Sequence, residues 1–430
     1  QPKELGVHAT FHEEADGWLA WVAGLEQAGV LSWSVAGKGP LAAWTGEVSG
    51  RAAAFGSLAS ILRLSVADPI TLVLEGEGSA NENLIPAQWQ PLIGSAVRFR
   101  LELALQPDRK LIVRKASFEG KAGRLLLEGD LDLPTNALRA NLEVSADNLT
   151  PFTGGDAAPS TAKQPPGTVR VQAQLAGDLQ RLNLSAEITG NLVPSADLPA
   201  AITPLLGAEV KLGTTVTLHE GSQLTVPTLT VTSPVFELTG TGSLDLAHRN
   251  LRGNLVLSIP DLAPLTALAG MTLAGSSRIT GGFEGEFEAF SATFSASSQE
   301  LVLDDLPLKR VVLDVTGREL PGTPQGELAL VLHNPYGLLK LTCGYALSER
   351  ELAVSALSFA APGSELSGHL RINRDSYLTE GQLDGKLRDL ALLGNFLQTS
   401  MTGSGTAAAV FATDRGAQNV RLRVSGKNLS

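Results

Sequence analysis

The sequence predicts an all-β fold, an elongated and repetitive β-sheet curled into an open trough with an apolar interior and a few short helices. Three observations predict it. Apolar and polar residues alternate in many short segments, which is the period of a strand with one apolar face. The 430 residues include 45 glycines but only 5% aromatic residues, as suits short strands and tight turns. The segment 83–152 is also repeated at 196–265, which favours an array of similar units over separate globules.

The repeat is clearest in its second half, where 111–152 aligns with 224–265 without a gap. Gly129 then falls on Gly242, and a looser third copy begins at Leu352. Each copy contains the same alternating apolar positions, which predicts that the strands recur in the same order.

The alternation breaks by one residue at one place in each of the first two copies. The steps run from Val113 to Ala116 and from Val226 to Leu229. A β-bulge, which adds one residue to a strand, explains such a step. A kinked strand is therefore expected at the same place in every unit.

The alternating apolar residues of the three copies are the candidate lining of a groove. Polar residues between them place a polar face on the other side of each strand. The candidate lining residues are Leu111, Val113, Leu131, Leu133, Leu142, Val144, Leu224, Val226, Leu229, Val231, Leu244, Leu246, Leu255, Leu257, Ile259, Leu352, Val354, Leu357, Leu370 and Ile372.

The repeat also predicts how the chain is divided. The expected segments are a partial first unit with a possible N-terminal helix (1–82), a repeat unit (83–152), a flexible low-complexity loop (153–167), a second repeat unit (168–265), a third and divergent unit (266–397) and the truncated start of a further unit (398–430).

A helix is one interpretation of residues 11–30, where Trp18, Trp21, Val22 and Leu25 have helical spacing. An irregular strand pair is the other. Short helices are expected at four further places because proline or aspartate precedes them and glycine ends several of them. These places are 85–94, 198–207, 261–270 with Asp261 as a candidate N-cap, and 389–398 with Asp389 as a candidate N-cap.

Two architectures satisfy a sheet with one apolar face. The sheet folds over itself into a sealed sandwich with a dry core, or it curls into a trough whose apolar side stays open for a ligand. The low aromatic content favours the trough, because packed sandwiches usually contain more large aromatic residues. The periodicity alone leaves both open.

Charge and hydropathy exclude several classes of partner. The net charge of −11 disfavours nucleic acid and electrostatic docking on anionic headgroups, since both require a basic face. No run of about 18 apolar residues is present, so no segment is expected to cross a bilayer as a helix. The chain begins at Gln1 and stops at Ser430 within a strand-like pattern, so it is expected to be a fragment whose membrane anchor and targeting signal lie elsewhere.

The sequence predicts no enzyme, metal or cofactor. It contains no phosphate-binding glycine loop, nucleophile elbow or zinc-binding motif. His8 and His12 fit a strand as well as a metal-binding helix, and Asp304 and Asp305 fit a solvated turn. Cys343, the single cysteine, is expected to be a small buried apolar residue.

A continuous apolar trough suits acyl chains. Each buried CH₂ contributes about 0.8 kcal/mol, so a chain of about 16 carbons gains on the order of 12 kcal/mol. Because this gain is similar all along the trough, movement along it is easier than escape to water.

Several segments resemble the TamB proteins of the wider AsmA-like family of Gram-negative envelope proteins. They are GKGPLAAW at 37–44, LPAAITPLLG at 198–207, the DLAPL end at 261–265 and the tail at 405–426. The resemblance implies a periplasmic β-sheet trough, curled like a taco shell, that is anchored to the inner membrane by a segment absent here. It also implies phospholipid movement between the inner and outer membranes.

The same resemblance implies a second function, the assembly of autotransporters and other outer-membrane proteins with an outer-membrane barrel partner, TamA. A scaffold or chaperone of that kind would use exposed sheet edges rather than the apolar face. A third interpretation is a sealed solenoid that acts only as a spacer.

Overall fold

The computed structural model confirms the all-β prediction, with an open antiparallel sheet and only short helices. It contains 25 described strands. Most strands are 9–11 residues long. The residues that the structure describes are 4–14, 29–52, 56–81, 90–149, 167–195, 203–304, 306–414 and 416–428.

The chain forms two compact units. The first comprises residues 1–199 and 208–221, and the second comprises 200–207 and 222–430. In each unit the strands follow one another as an antiparallel meander, every described strand pairing with the next in sequence. The strands of the first unit are β1 (Glu4–Glu13), β2 (Leu31–Pro40), β3 (Trp44–Ala52), β4 (Gly56–Ser65), β5 (Ile70–Ala80), β6 (Ala96–Leu105), β7 (Lys110–Glu119), β8 (Gly123–Asp132), β9 (Ala137–Ala146), β10 (Thr168–Asp178), β11 (Asn183–Val193) and β12 (Val210–His219).

The second unit has the same organisation, and its strands lengthen where β16, β17 and β18 pair. Its strands are β13 (Gln223–Thr232), β14 (Glu237–Asp245), β15 (Asn250–Ile259), β16 (Leu273–Glu286), β17 (Ala289–Leu303), β18 (Leu306–Pro321), β19 (Gln325–Asn334), β20 (Gly337–Leu347), β21 (Glu351–Ala361), β22 (Ser364–Asn373), β23 (Thr379–Leu387), β24 (Ser404–Asp414) and β25 (Ala417–Lys427).

The sheet of each unit stays open. Among the described residues, no pairing joins the first strand of a unit to its last, and inner-face side chains such as Val144 in the first unit and Phe294 in the second are 37% and 49% exposed, so no layer covers them. The sealed-sandwich interpretation is therefore wrong for the part of the chain that the structure describes. Each unit is a trough whose inner face carries the apolar side chains.

The predicted bulges are confirmed. The register of β7 with β8 shifts between Val113 and Ala116, and that of β13 with β14 shifts between Val226 and Leu229. The third copy has its shift in the same place, between Val354 and Leu357 of β21. One extra residue in each strand increases the local twist while apolar residues on both sides of it stay on the inner face.

The connections give each unit two different sides. The four described α-helices all follow odd-numbered strands, whereas most even-numbered strands are followed by turns of two to five residues. We call the two long sides of each trough the helix side and the turn side. The helices are α1 (Gln90–Ile93), α2 (Thr203–Leu206), α3 (Thr266–Ala269) and α4 (Leu390–Leu397).

All four helices lie within the segments expected to be helical, although each is only one or two turns long. The carboxylate of Asp389 caps α4 by accepting from the N–H of Ala391 at 3.0 Å, as predicted. Asp261 accepts from the N–H of Ala263 at 2.9 Å, where a 3₁₀ turn leads into α3. The segment 37–44 contains the end of β2, a 3₁₀ turn at 41–43 and the start of β3.

Two predictions fall partly or wholly outside the described residues. The helix interpretation of 11–30 is wrong for residues 11–13, which belong to β1, and residues 15–28 lie outside the described part. Nearly all of the low-complexity segment 153–167 also lies outside it, and only Gly167 is described.

Candidate apolar groove

The strand register joins the apolar residues of neighbouring strands into continuous rows. Residues that pair directly in an antiparallel sheet point to the same face. In the second unit Leu224 pairs with Leu244, and Leu244 pairs with Leu251. The next row toward the helix side contains Val226 and Gly242. These rows continue from strand to strand and form the inner face.

The first unit has the same arrangement. Leu111 pairs with Leu131, and Leu131 pairs with Leu138. Farther toward the helix side, Val144 of β9 pairs with Val171 of β10, which extends the apolar row across the segment that separates the two strands in sequence. The repeated apolar pattern therefore becomes a continuous surface within each unit.

The inner face of the second unit carries no charge. At the strand positions whose side chains share this face, leaving out the bulge residues, the described part of β13–β25 has no Asp, Glu, Lys or Arg. The polar residues there are small or uncharged, such as Thr379 and Gln418 at its margins. A ligand on this face meets hydrocarbon and backbone.

The structure places all but two of the predicted lining residues in strands and on the inner face. The exceptions are Leu133 and Leu246, which lie in the turns that follow β8 and β14. Leu246 is 50% exposed, and its N–H bonds the carbonyl of Ser222 at 2.8 Å. The apolar alternation continues for one step beyond each strand. It therefore does not distinguish Leu133 and Leu246, which lie in turns, from the residues within the strands.

Aromatic rings lie flat over glycines on the inner face. The ring of Phe283 occupies the space that a Cβ on Gly253 would need, and the ring of Phe294 lies 3.0 Å from the corresponding position on Gly281. Both pairs are direct cross-strand neighbours. The rings therefore cover the floor of the trough instead of standing in its opening.

Trp44 does the same in the first unit. Its indole covers Gly37 and Gly46 on neighbouring strands, and its Nε1–H donates to the carbonyl of Leu5 at 3.2 Å. The glycines let the ring pack directly on the backbone, its one polar atom is bonded, and the residue is only 5% exposed.

The helix side of the groove is closed in part of the second unit. Val235, Leu265 and Leu308 belong to a cluster of buried apolar side chains there, and Leu308 is only 1% exposed. Ile259 and Leu257, two of the predicted lining residues, are part of this cluster or pack against it. They support the wall of the groove and present little surface to a ligand.

The structure also has open depressions away from this cluster. One of about 1010 Å³ crosses β21–β25, and its lining includes Phe359, Leu366 and Ala407. Another of about 720 Å³ lies at the turn side of β13–β17, and its lining includes Leu224 and Leu244. The buried cluster therefore closes the helix side near β13–β18, whereas the turn side of β13–β17 and the inner rows of β21–β25 next to the helix side remain accessible.

The outer face is polar and carries exposed ion pairs. Arg100 lies between Glu75, at 3.0 Å, and Glu102, to which its Nε donates at 2.6 Å. The hydrogen bond with Glu102 is the main cause of the raised pKa of Arg100. Exposed pairs of this kind contribute little stability, so we assign them to the solvated outer surface.

Chemistry-bearing residues are few in the described part of the chain. Cys343 lies on β20 opposite Leu328, and burial raises the pKa of its thiol. His12 lies 3.5 Å from Glu14, but no group of three potential metal ligands occurs among the described residues. None of the described helices has the length and apolar character needed to cross a membrane.

Sequence reasoning missed several residues that shape the groove. It did not single out Phe283 and Trp44, which cover the glycines, or Leu308 and Phe396, which are buried at the helix side. A usable signal exists for the first two, because Phe283 follows Gly281 and Trp44 precedes Gly46 by two residues in the alternating pattern. The contacts of Leu308 and Phe396 join residues distant in sequence and leave no local signal.

Two comparisons with known proteins identify no relative of this chain. A scan against protein-family models finds no match, and a search of curated proteins finds none either.

Proposed function

We propose that this chain conducts phospholipid along its apolar groove, as part of a periplasmic bridge between the inner and outer membranes of a Gram-negative bacterium. The observation that carries the proposal is the inner face of the second unit, whose apolar rows continue from strand to strand without a charged residue and which stays open at its turn side. Its support also includes the segments that resemble the AsmA-like family. In this proposal a segment outside the chain anchors the bridge to the inner membrane, and a barrel of the TamA type is its partner at the outer membrane.

The groove suits an acyl chain for three physical reasons. A strand of 10 residues is about 33 Å long and carries five inner side chains, enough apolar surface to contact most of an extended chain. Burial of the chain supplies on the order of 12 kcal/mol, mostly independent of position along the groove. The uncharged face offers no fixed partner at which a headgroup would stop.

The turn side is where a headgroup would lie in this proposal. The buried cluster around Leu308 fills the helix side over part of the second unit, so a polar headgroup there would lose water without gaining a partner. The turns on the other side carry exposed polar residues, among them Asp245 and His248, whose side chains bond each other at 2.8 Å. Tails on the inner face and headgroups beside these turns keep both parts of the lipid in a suitable environment.

A charge placed on the inner face tests the proposal. Leu255 lies on the inner face of β15, where it pairs with Gly240 and Gly281, and its neighbour Asn254 is exposed on the outer face. Leu255→Asp should block lipid transfer by the full-length protein, because a carboxylate in the groove must lose water when an acyl chain passes. Asn254→Asp adds the same charge one residue away on the other face and should leave transfer unchanged.

Native mass spectrometry of the purified chain gives a direct measurement. The wild type and Asn254→Asp should carry phospholipid, and Leu255→Asp should carry less. Leu244→Asp with its control Ser243→Asp repeats the comparison near the turn side. Equal lipid occupancy and equal transfer by all of these folded proteins would contradict the proposal, and crosslinks from strand edges to nascent barrel strands would favour an assembly scaffold instead.

A further inference from the structure

The helix α4 lies on the inner face of the sheet. Asn334 is the last residue of β19 and shares the inner face with Leu332, two residues before it. Its Nδ2 donates to the carbonyl of Phe396 in α4 at 2.9 Å. Both residues are 1% exposed, so the end of α4 is packed against the helix side of the trough.

The segment that carries α4 packs on strands that come before it in the sequence, whereas the segments that carry α1 and α3 bond hairpins that come after them. The segment with α1 bonds the turn that follows β7, where Lys121 donates to Ile93 at 3.0 Å, and Thr272 after α3 bonds Asp304 after β17. Both dock on a later hairpin. By contrast, Arg388 before α4 donates to Gly363 at 2.7 Å, and Asn334 lies earlier still in the chain.

A backbone hydrogen bond joins the two ends of the segment that contains α4. The N–H of Leu390 donates to the carbonyl of Gly403 at 2.9 Å, which brings the two ends of the segment together. Gly403 has a φ of 108°, a conformation that glycine adopts readily, and Gln398 ends the helix in the left-handed region. A loop with joined ends and such backbone positions can move as one body on its base.

Two buried polar groups have opposite effects on the docking of this segment, Asn334 that bonds it and Ser364, which follows the Gly363 that accepts from Arg388 and Asp389. The amide of Asn334 stabilises the docked position through its buried hydrogen bond. The hydroxyl of Ser364 lies on the inner face of β22, is 4% exposed as a residue, and has no hydrogen-bond partner among the described residues. A buried hydroxyl without a partner disfavours the state that buries it. The docked position is therefore held by a balance of two opposing contributions.

This segment adjoins the depression of about 1010 Å³ that crosses β21–β25. Ser364 lies two residues from Leu366, and Leu387, its partner on β23, lies two residues from Gly385. Leu366 and Gly385 both line the depression of about 1010 Å³. Movement of α4 away from the sheet would extend this depression to the helix side and expose Ser364.

We propose that residues 388–403 form a strap over the helix side of the groove at β19–β23, and that it opens so that acyl chains entering from the turn side extend across the full width of the groove. This inference rests on the proposed lipid function, because it assigns a control element to the same groove. The hydrogen bond from Asn334 and the buried ring of Phe396 stabilise the closed position of the strap, and the unpaired hydroxyl of Ser364 favours opening. We call Asn334 the latch.

Two substitutions with opposite effects test the strap. Asn334→Ala removes the latch, and Ser364→Ala removes the unpaired hydroxyl. Hydrogen exchange of the amides in 390–403 should become roughly five- to tenfold faster in the first and slower by a similar factor in the second, as expected for one buried hydrogen bond and one buried unpaired hydroxyl. Asn395→Ala makes the same change as Asn334→Ala at an exposed position on α4 and should leave the exchange rates near those of the wild type.

Lipid uptake links the strap to the groove. The probe is a fluorescent phospholipid in vesicles of phosphatidylethanolamine and phosphatidylglycerol, with the initial rate of transfer to the protein as the readout. Asn334→Ala should accelerate uptake several-fold, and Ser364→Ala should slow it. Unchanged exchange in both variants would overturn the strap itself, and changed exchange with unchanged uptake would overturn its role in access.

The failure of the function and the failure of the strap are distinguishable. If the wild type takes up no lipid and carries none in native mass spectrometry, the proposed function is wrong and the access role is wrong with it. If the wild type carries lipid while Asn334→Ala behaves like Asn395→Ala in both measurements, only the strap is wrong.

Discussion

The ring of Phe283 on β16 lies over Gly253, its paired residue on β15, and occupies the space of any side chain there. A curled sheet without a covering layer has few ways to bury an aromatic ring. A glycine on the neighbouring strand provides one, because the ring then packs on the exposed backbone. Because Gly253 has no side chain, the ring of Phe283 occupies that space instead of projecting farther into the groove.

Gly253→Ala should destabilise the protein by about 1–3 kcal/mol, because the new methyl group displaces the ring of Phe283 from the floor. Gly242→Ala is the matched control. It lies on the same face, pairs with Gly253, and its new Cβ would meet nothing closer than the carbonyl of Arg252 at 3.6 Å. Urea denaturation followed by circular dichroism measures both changes, and an equal loss of stability in the two variants would contradict this account of Phe283.

Leu308→Ala should cost about 2–5 kcal/mol of unfolding free energy, since it leaves a cavity at the most buried position of the cluster on the helix side. Leu338→Ala removes the same atoms from a side chain that is 42% exposed and should change stability by less than about 0.5 kcal/mol. If both cost the same, the helix side is not a packed wall. The comparison needs only denaturation curves, without a lipid assay.

The all-β architecture and the bulges were predictable because both follow from local periodicity. A strand that alternates from Leu111 to Val113 and resumes at Ala116 must either turn its apolar residues outward or insert an extra residue. The face on which the predicted lining residues lie was predictable for the same reason. Leu133 and Leu246 show the limit, since the alternation does not indicate where a strand ends and a turn begins.

Closure of the helix side was not predictable from the sequence. It depends on contacts such as that of Asn334 with Phe396, which are 62 residues apart in the chain. The sequence DLALLGNFLQ predicts a short helix at 389–398 but carries no information on the direction in which that helix docks. Such contacts arise from packing, and periodicity describes only which face of each element is apolar.

The single cysteine provides a native probe of the inner face. Because burial raises the pKa of Cys343, its thiolate should form at higher pH in the folded protein than in the unfolded chain. Alkylation by iodoacetamide at pH 8 should therefore be slower in the folded state, and its pH profile should have its inflection at higher pH. The same protein in urea is the control, and coinciding inflections would show that Cys343 is not in an apolar site.

The bulge of β13 allows a sharp test of why the repeat breaks its alternation. Deletion of Thr228 removes the extra residue and places Leu229 two positions after Val226, so every apolar residue of β13 keeps its place on the inner face. The variant should fold with a regular ladder and a reduced local twist. Backbone amide exchange and circular dichroism should show an intact sheet.

Deletion of Thr241 from β14 is the matched control, because β14 pairs with β15 without a register shift. Removing a residue there moves either Leu238 or Leu244 to the outer face and leaves apolar surface in water. This variant should lose several kcal/mol of stability or fail to fold. If the Thr228 deletion were equally harmful, the bulge would be required for folding itself and not only for the curvature of the trough.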